Sequence, residues 1–286
     1  MLETNNIIVI SDTHCGCRLG LMPPEGITLD EGGRYKPSKI QKKMHAMWTE
    51  FWESWVPEAT RGEDFIVIHN GDALDGTPHS SKSGVSSNTA DQQNIAYELL
   101  APIVELCGGN YYAIRGTEAH VGKSGEQEEQ LAARLGAIPN SAGQHSRFEL
   151  RKAIGPKKAR KIVHCLHHIG TTGSPSAEAS AVCSELVNSF VESARWGNRP
   201  PSVVVRSHRH RNIGIHFPVQ DAVDTHETGT AWSFTTPAWQ AKTPFVYKIP
   251  GGRLSTPQFG GVLIRWAHDE LFVRPKVWTI PPSKVE

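Results

Sequence analysis

The apolar positions fall into short unbroken runs separated by stretches of helical spacing. Ile7 to Ile10 is a continuous β-branched run, the pattern of a strand buried on both faces. Phe65–Ile68, Tyr111–Ile114, Phe148–Arg151, Lys161–Leu166 and Ser202–Arg206 read as further strands. Between them, Ser38–Val56 places Ile40, Met44, Met47, Trp48, Phe51, Trp52 and Trp55 at helical spacing, an aromatic stripe that reads as core packing. Asp91–Leu106, Glu126–Leu135 and Ala177–Arg195 read as helices. Past residue 210 come short strands with no clear helix: Ile213–His216, Phe245–Ile249, Gly261–Trp266 and Leu271–Pro275. Residues 15–37, rich in Gly and Pro, and 76–90, rich in Ser, Thr and Gly, read as loops, the second of them mobile. This order predicts two sheets with helices outside them in one domain over residues 1–286, with the strand-rich segment 211–286 completing the second sheet.

Composition changes this picture little. Hydrophobic residues make up 38% and charged residues 21%, the balance of a globular chain, and 286 residues bury a sizeable core without disulfides. A net charge of +1 argues against a broad nucleic-acid surface, although a local basic groove is compatible with it. The cysteines, Cys15, Cys17, Cys107, Cys165 and Cys183, are odd in number and sparse, as in a reducing compartment. Met1 to Asn6 shows no basic-then-apolar leader, and no apolar stretch is long enough for a membrane, so a cytoplasmic location is expected. The 14 histidines are the outlier, histidine being the commonest metal ligand.

Many of them sit in polar clusters that directly follow strand-like runs. These are Ser11-Asp12-Thr13-His14, His69-Asn70-Gly71-Asp72-Ala73-Leu74-Asp75, Arg115-Gly116-Thr117-Glu118-Ala119-His120, His167-His168 and Ser207-His208-Arg209-His210. Ligands of α/β sheets bind at the carboxyl ends of strands, so these clusters can converge on one site. Each is weak alone; the ordered set is hard to obtain by accident. Strand alternation would send His208 and His210 to the same side, and would let only one of His167 and His168 point inward.

In these segments, which span residues 12–210, the chain resembles the calcineurin-like metallophosphoesterase family, as a phage- or bacterial-type member. The resemblance implies an α/β fold, a four-layer sandwich of two mixed β-sheets flanked by helices, and a dinuclear centre. By position, Asp12, His14 and His210 would hold one cation, Asp72 would bridge, and His167 and His208 would complete the second. Mn²⁺ is the expected metal in vitro, with Zn²⁺, Fe and Ni²⁺ as alternatives for a mixed imidazole and carboxylate set. The third motif departs from the family's Gly-Asn-His. Thr117 stands in the Asn position and a histidine arrives two residues late, so Glu118 or a water is expected to fill the ligand position and His120 to supply the catalytic imidazole. Ser207 stands where the family usually has glycine. His168 is a secondary candidate ligand, Asp75 a supporting carboxylate, and Arg115 and Arg209 candidate phosphate contacts.

The implied reaction is hydrolysis of a phosphate ester by hydroxide generated between two cations. The substrate leans to a phosphodiester, a nucleotide or nucleic acid. A phosphomonoesterase, including a protein phosphatase, is the main alternative, and a catalytically inactive binding module is the third. Competing motifs fall away. Gly122-Lys123-Ser124 follows Gly116 at the wrong spacing for a P-loop, Cys15-Gly16-Cys17 lacks a second cysteine pair, and no Gly-x-Ser-x-Gly elbow is present. His226-Glu227 reads as an exposed pair, and nothing indicates an oligomeric state.

Overall fold

Runs that are apolar at every position have to be covered on both faces, and here they become the inner strands of two mixed sheets. The computed structural model describes residues 4–77, 83–122, 124–170, 174, 177–220, 228–248 and 256–279. The chain begins with β1 (Asn6–Ile10), a small pair β2 (Ile27–Thr28) and β3 (Arg34–Tyr35), and α1 (Lys39–Glu50), which runs through a π-helical turn (Phe51–Trp55) into α2 (Val56–Thr60). Then come β4 (Ile66–Asn70), α3 (Thr89–Leu106), β5 (Tyr111–Ile114), the single turn α4 (Glu118–Val121), α5 (Glu126–Arg134) and β6 (Ser146–Arg147). The second half holds β7 (Glu149–Ile154), β8 (Lys161–Leu166), α6 (Glu178–Arg195), β9 (Val203–Arg206), β10 (Ile213–Gln220), β11 (Thr228–Thr235), β12 (Phe259–Ala267) and β13 (Glu270–Trp278).

The six-stranded sheet has the order β13-β12-β1-β4-β5-β6, and the five-stranded sheet the order β10-β11-β9-β8-β7. β1, β4 and β5 are parallel neighbours, as are β8 and β9. Alternation along β1 divides its side chains between two cores. Ile7 and Val9 meet Val163, Val203 and Val205 between the sheets, whereas Ile8 and Ile10 pack with Met44, Trp48, Phe51, Ile95 and Leu99 under the helices. On the far side Leu186 of α6 covers Val204 and Ala231. The layers therefore run helix, sheet, sheet, helix, as expected. Among the described residues no helix is long and apolar enough to cross a membrane.

The C-terminal segment corrects the sequence reading. Among its described residues β10 and β11 alone join the second sheet; β12 lies antiparallel to β1 in the first, with β13 outside it. The reason is burial on both faces: Val262 and Ile264 enter the inter-sheet core while Phe259 and Leu263 face the helices. The strand expected at 245–249 is a 3-10 turn, Val246–Lys248, following Pro244. The strand of this region is instead β11, in a Gly- and Thr-rich stretch that carried no strong apolar signal. His226 and Glu227 lie outside the described residues, as do residues 78–82 of the loop expected at 76–90.

Two local devices tie the helices to the loops that follow β1 and β4. Ser38 caps α1 in a reciprocal box with Gln41, whose amide also donates to the Cys17 carbonyl at 3.1 Å. Gln92 of α3 both accepts from and donates to the backbone of Gly76, at 2.8 and 3.0 Å. The aromatic stripe is core, as expected, and it braces more than the helix. Trp48 and Phe51 meet Trp239 edge-on at 4.9 and 5.9 Å, and the Trp239 N–H donates to the Asp12 carbonyl at 2.9 Å. Truncating Phe51, which is fully buried, to Ala should cost about 3–5 kcal/mol in urea denaturation. A loss below about 1 kcal/mol, the scale of an exposed site, would contradict this role for the stripe.

Candidate metal centre

The donor side chains sit just past strand ends, on turns laced to one another. Asp12 N–H donates to the Gly71 carbonyl at 2.9 Å and His14 N–H to that of Asp72 at 3.1 Å, joining the turns after β1 and β4. Ser207 N–H donates to the His167 carbonyl at 2.9 Å, joining those after β8 and β9. The turns are tight enough to drive Asp12, His14, Asp72, His208 and His210 into left-handed backbone, with φ of 52°, 43°, 53°, 67° and 55°. Side-chain-bearing residues avoid this region by roughly 1–2 kcal/mol, and such strain gathers at functional sites. It also corrects the expected route for His208 and His210. Both lie beyond the end of β9 at Arg206, so turn geometry, not strand pleating, aims them.

Among the described residues three groups of donors converge, the donor atoms of each within 4.8 Å of one another: Asp12, His14 and His210; His14, Asp72 and His120; and Asp72, His167 and His208. His14 Nε2 and His210 Nε2 face each other at 3.2 Å, and His210 Nε2 lies 3.2 Å from Asp12 Oδ1. His167 Nε2 lies 3.0 Å from Asp72 Oδ2 and 3.9 Å from Asp12 Oδ1, so it stands between the two carboxylates. All six residues expected to bind metal are thus in these groups, and His120 joins them.

A second layer fixes the rings. His167 Nδ1 donates to the Asn70 carbonyl and His120 Nδ1 to the Asp75 carbonyl, both at 2.6 Å, which holds each ring with its Nε2 turned away from that backbone. Asp75, nearly fully buried, lies 3.4 Å from His14 Nδ1 and accepts from Gln240 at 3.3 Å, which places its carboxyl behind the His14 ring. Ser207 makes use of the hydroxyl that glycine would lack. Its Oγ accepts from Asn70 at 2.6 Å and meets Thr236 Oγ1 at 2.8 Å, and Thr236 in turn meets Ser11, which donates to Asp12 Oδ2 at 2.5 Å.

The residue that the sequence did not single out is Glu128. Its buried carboxylate accepts from Ala73 N–H at 2.8 Å and Gly116 N–H at 2.7 Å, clamping the loops on either side of Asp72. In sequence it is one of three acids in the first turn of α5, where acids are favoured anyway by the helix dipole, so nothing marked it. Burial, followed by the charge of Asp72, pushes its carboxyl up to about 7.

Electrostatics show what the cluster lacks. Burial alone would raise the Asp12 and Asp72 carboxyls, yet His167 and its imidazole neighbours hold both well below the carboxylate range. Burial works against charge on His14 and His167 too, but hydrogen bonds donated to Asp12 and Asp75 push His14 up to about 10, and the charges of Asp72 and Asp12 push His167 up to about 9. The carboxylates draw positive charge into a buried space. His120, by contrast, is pushed down by burial.

The other expected residues divide. Thr117 is buried against Asp72, donating its N–H to Oδ1 at 2.7 Å, with its hydroxyl 3.3 Å away. Glu118 is exposed and outside the donor groups, so it does not take the position of the missing amide; it starts α4 and points to solvent. His168 is also exposed and outside the groups, its ring 5.5 Å from that of His167. Arg115 is engaged by Ser146 at 2.9 Å and stacks 4.7 Å over Phe148, and Arg209 donates to the Gly170 carbonyl.

The residues fit divalent cations. Asp12 Oδ1 and His167 Nε2 are buried without a hydrogen-bond partner, the paired imidazole nitrogens converge, and the mixed donor set suits borderline metals. No protein-family model matches the chain, and no curated protein matches it in sequence. Among solved structures, Vacuolar Protein Sorting 29 from Cryptosporidium parvum aligns at 10% identity over 96% of this chain and 98% of its own, with a TM-score of 0.35. The sulfate thiohydrolase SoxB of Thermus thermophilus, solved with glycerol, aligns at 10% identity over 96% of this chain and 56% of its own, with a TM-score of 0.40.

The clamp around Asp72 leaves no room for a methyl group at position 116, where a Cβ would lie 1.9 Å from Asp72 Oδ1 and 2.4 Å from its nitrogen. Gly116→Ala should therefore weaken metal retention by about 10–100-fold, the scale of losing a supporting contact, as read from metal content after desalting. Gly229→Ala, where a Cβ meets nothing within 4 Å, should retain metal like the parent. Equal retention by both variants would refute the clamp.

Proposed function

We propose that this chain is a phosphoester hydrolase working with two divalent cations, Mn²⁺ in the first instance. The observation that carries the reading is the convergence of Asp12, His14, Asp72, His167, His208 and His210 from turns distant in sequence, with Asp72 common to two donor groups. Asp12 and His14 with His210 would hold one ion, His167 and His208 the other, and Asp72 would reach both. Cations bound there would supply charge to polarise a phosphoryl oxygen and to acidify a water at neutral pH.

The chain's own residues do the positioning. Asn70 and Asp75 set the faces of the imidazoles, and Glu128 and Thr117 hold Asp72 between the loops. Burial of Asp12, His14 and Asp72 keeps bulk water from screening their charge, while His208 and His168 lie on the exposed side, where a phosphate ester would approach. Five donors held in strained backbone support a working centre over an inactive binding module, since a scaffold without the centre has no use for that strain. The substrate reading remains a phosphodiester, nucleotide or nucleic acid, with phosphomonoesters as the alternative outcome.

The test is turnover of an aryl phosphodiester and an aryl phosphomonoester by metal-stripped protein given Mn²⁺, with Asp72→Asn beside it. Asparagine keeps an oxygen for the Thr117 N–H at 2.7 Å but loses the charge, so the fold should persist while turnover falls at least about 10²–10³-fold. Faster diester cleavage supports the diesterase reading and faster monoester cleavage the alternative. Near-parental activity in Asp72→Asn would sink the bridging role.

A further inference from the structure

We infer that His120 is a metal ligand on the His14 side of the site, and that the two cations are held unequally, the one beside His14 tightly and the other loosely. The inference rests on the two-cation reading of the site. His120 presents a donor within one ion's span of His14 and Asp72. Ligand bonds of about 2.0–2.2 Å place two donors of one ion up to about 4.4 Å apart, and donors within 4.8 Å of one another reach that span with a small side-chain shift. His120 is also prepared in the same way as His167: Nδ1 is 2.6 Å from a backbone carbonyl in both, which turns the free Nε2 away from that carbonyl. Its ring stands edge-on to that of His14, with centroids 4.4 Å apart.

His14 belongs to two of the groups, so the His14 side of the site is served by Asp12 and His210 in one group and by Asp72 and His120 in the other. On the other side the donors among the described residues are Asp72, His167 and His208 alone. Thr117, at the position where an amide ligand was expected, spends its N–H on Asp72 at 2.7 Å and directs its hydroxyl to the same carboxylate at 3.3 Å. Surroundings add to the inequality: Asp12 and His14 are 0% and 1% exposed, whereas His208 faces solvent. Ion affinity follows the number and charge of ligands and the rigidity of the site, so the ion beside His14 is the one retained and the other exchanges. The altered third motif thus moves a donor from one ion to the other.

Calorimetric titration of the metal-stripped protein with Mn²⁺ tests this. The parent should show two classes of site, the second at least about tenfold weaker, and His120→Ala should weaken the tight class at least about tenfold while leaving the weak class in place. The Mn²⁺-induced rise in melting temperature should shrink in the same variant. Should metal-free His120→Ala melt below the parent, His120→Gln, which keeps the bulk, is read in its place. Two classes of equal affinity, or a variant that titrates like the parent while turnover collapses, would overturn the inference and make His120 a proton donor. A parent that takes up no Mn²⁺ would instead overturn the two-cation reading, and this inference with it.

Discussion

Two carboxylates, Asp12 and Asp72, are buried within reach of one imidazole, and the rest of the molecule is arranged around them. Asp12 is 0% and Asp72 1% exposed, with His167 Nε2 at 3.9 Å from one and 3.0 Å from the other. Ionised groups removed from water at this depth have to be compensated by opposite charge. Protons on His14 and His167 give part of that charge in the protein alone. Divalent cations would give more of it, and would give it where Asp12 Oδ1 and His167 Nε2 already point. The parallel strands β1 and β4 bring the two carboxylates side by side, because their register sets Ile10 opposite His69 and so starts the two turns together.

Outside the donors, uncharged groups do most of the orienting. Backbone carbonyls of Asn70 and Asp75 fix two imidazoles, and the hydroxyls of Ser11, Thr236 and Ser207 link Asp12 to Asn70. Such partners set ring orientation and tautomer without adding charge that would compete with an ion. The two charged members, Asp75 and Glu128, stand behind the donors and address His14 and the loop backbones. Trp239 joins this layer to the helices: its backbone holds Asp12 while its ring is packed by Trp48 and Phe51. Core packing and donor geometry are therefore one structural problem.

What was legible in the sequence follows from the same physics. Strands covered on both faces declared themselves as unbroken apolar runs, and the polar donors stood out because each follows such a run, as Asp12 follows Ile7–Ile10. The helical aromatic stripe was equally plain. Signals failed where structure depends on partners far away in sequence. β11 is built from Thr, Gly, Ser and aromatic residues and is a strand because β9 and β10 flank it. α4 is a single turn, too short for periodicity, yet it is what delivers His120. Glu128 looked like an ordinary first-turn acid, and Glu118 like a ligand, until the direction of each side chain was fixed by tertiary contacts.

The distribution of backbone strain says what the turns are for. Besides the five donors, the described non-glycine residues with positive φ are Arg61, His268 and Asp269. Arg61 closes a helix, and His268 with Asp269 forms the turn between β12 and β13, places where left-handed backbone is ordinary. The donors have no such excuse from chain reversal alone. Each departs from the favoured region by about 1–2 kcal/mol, in a molecule class whose net stability is about 5–15 kcal/mol. Relaxing any of these turns would swing a carboxylate or an imidazole out of its group, so the strain is explained by the demand that the groups converge. Carboxylates and imidazoles brought face to face in this way form a donor set that divalent cations would reward.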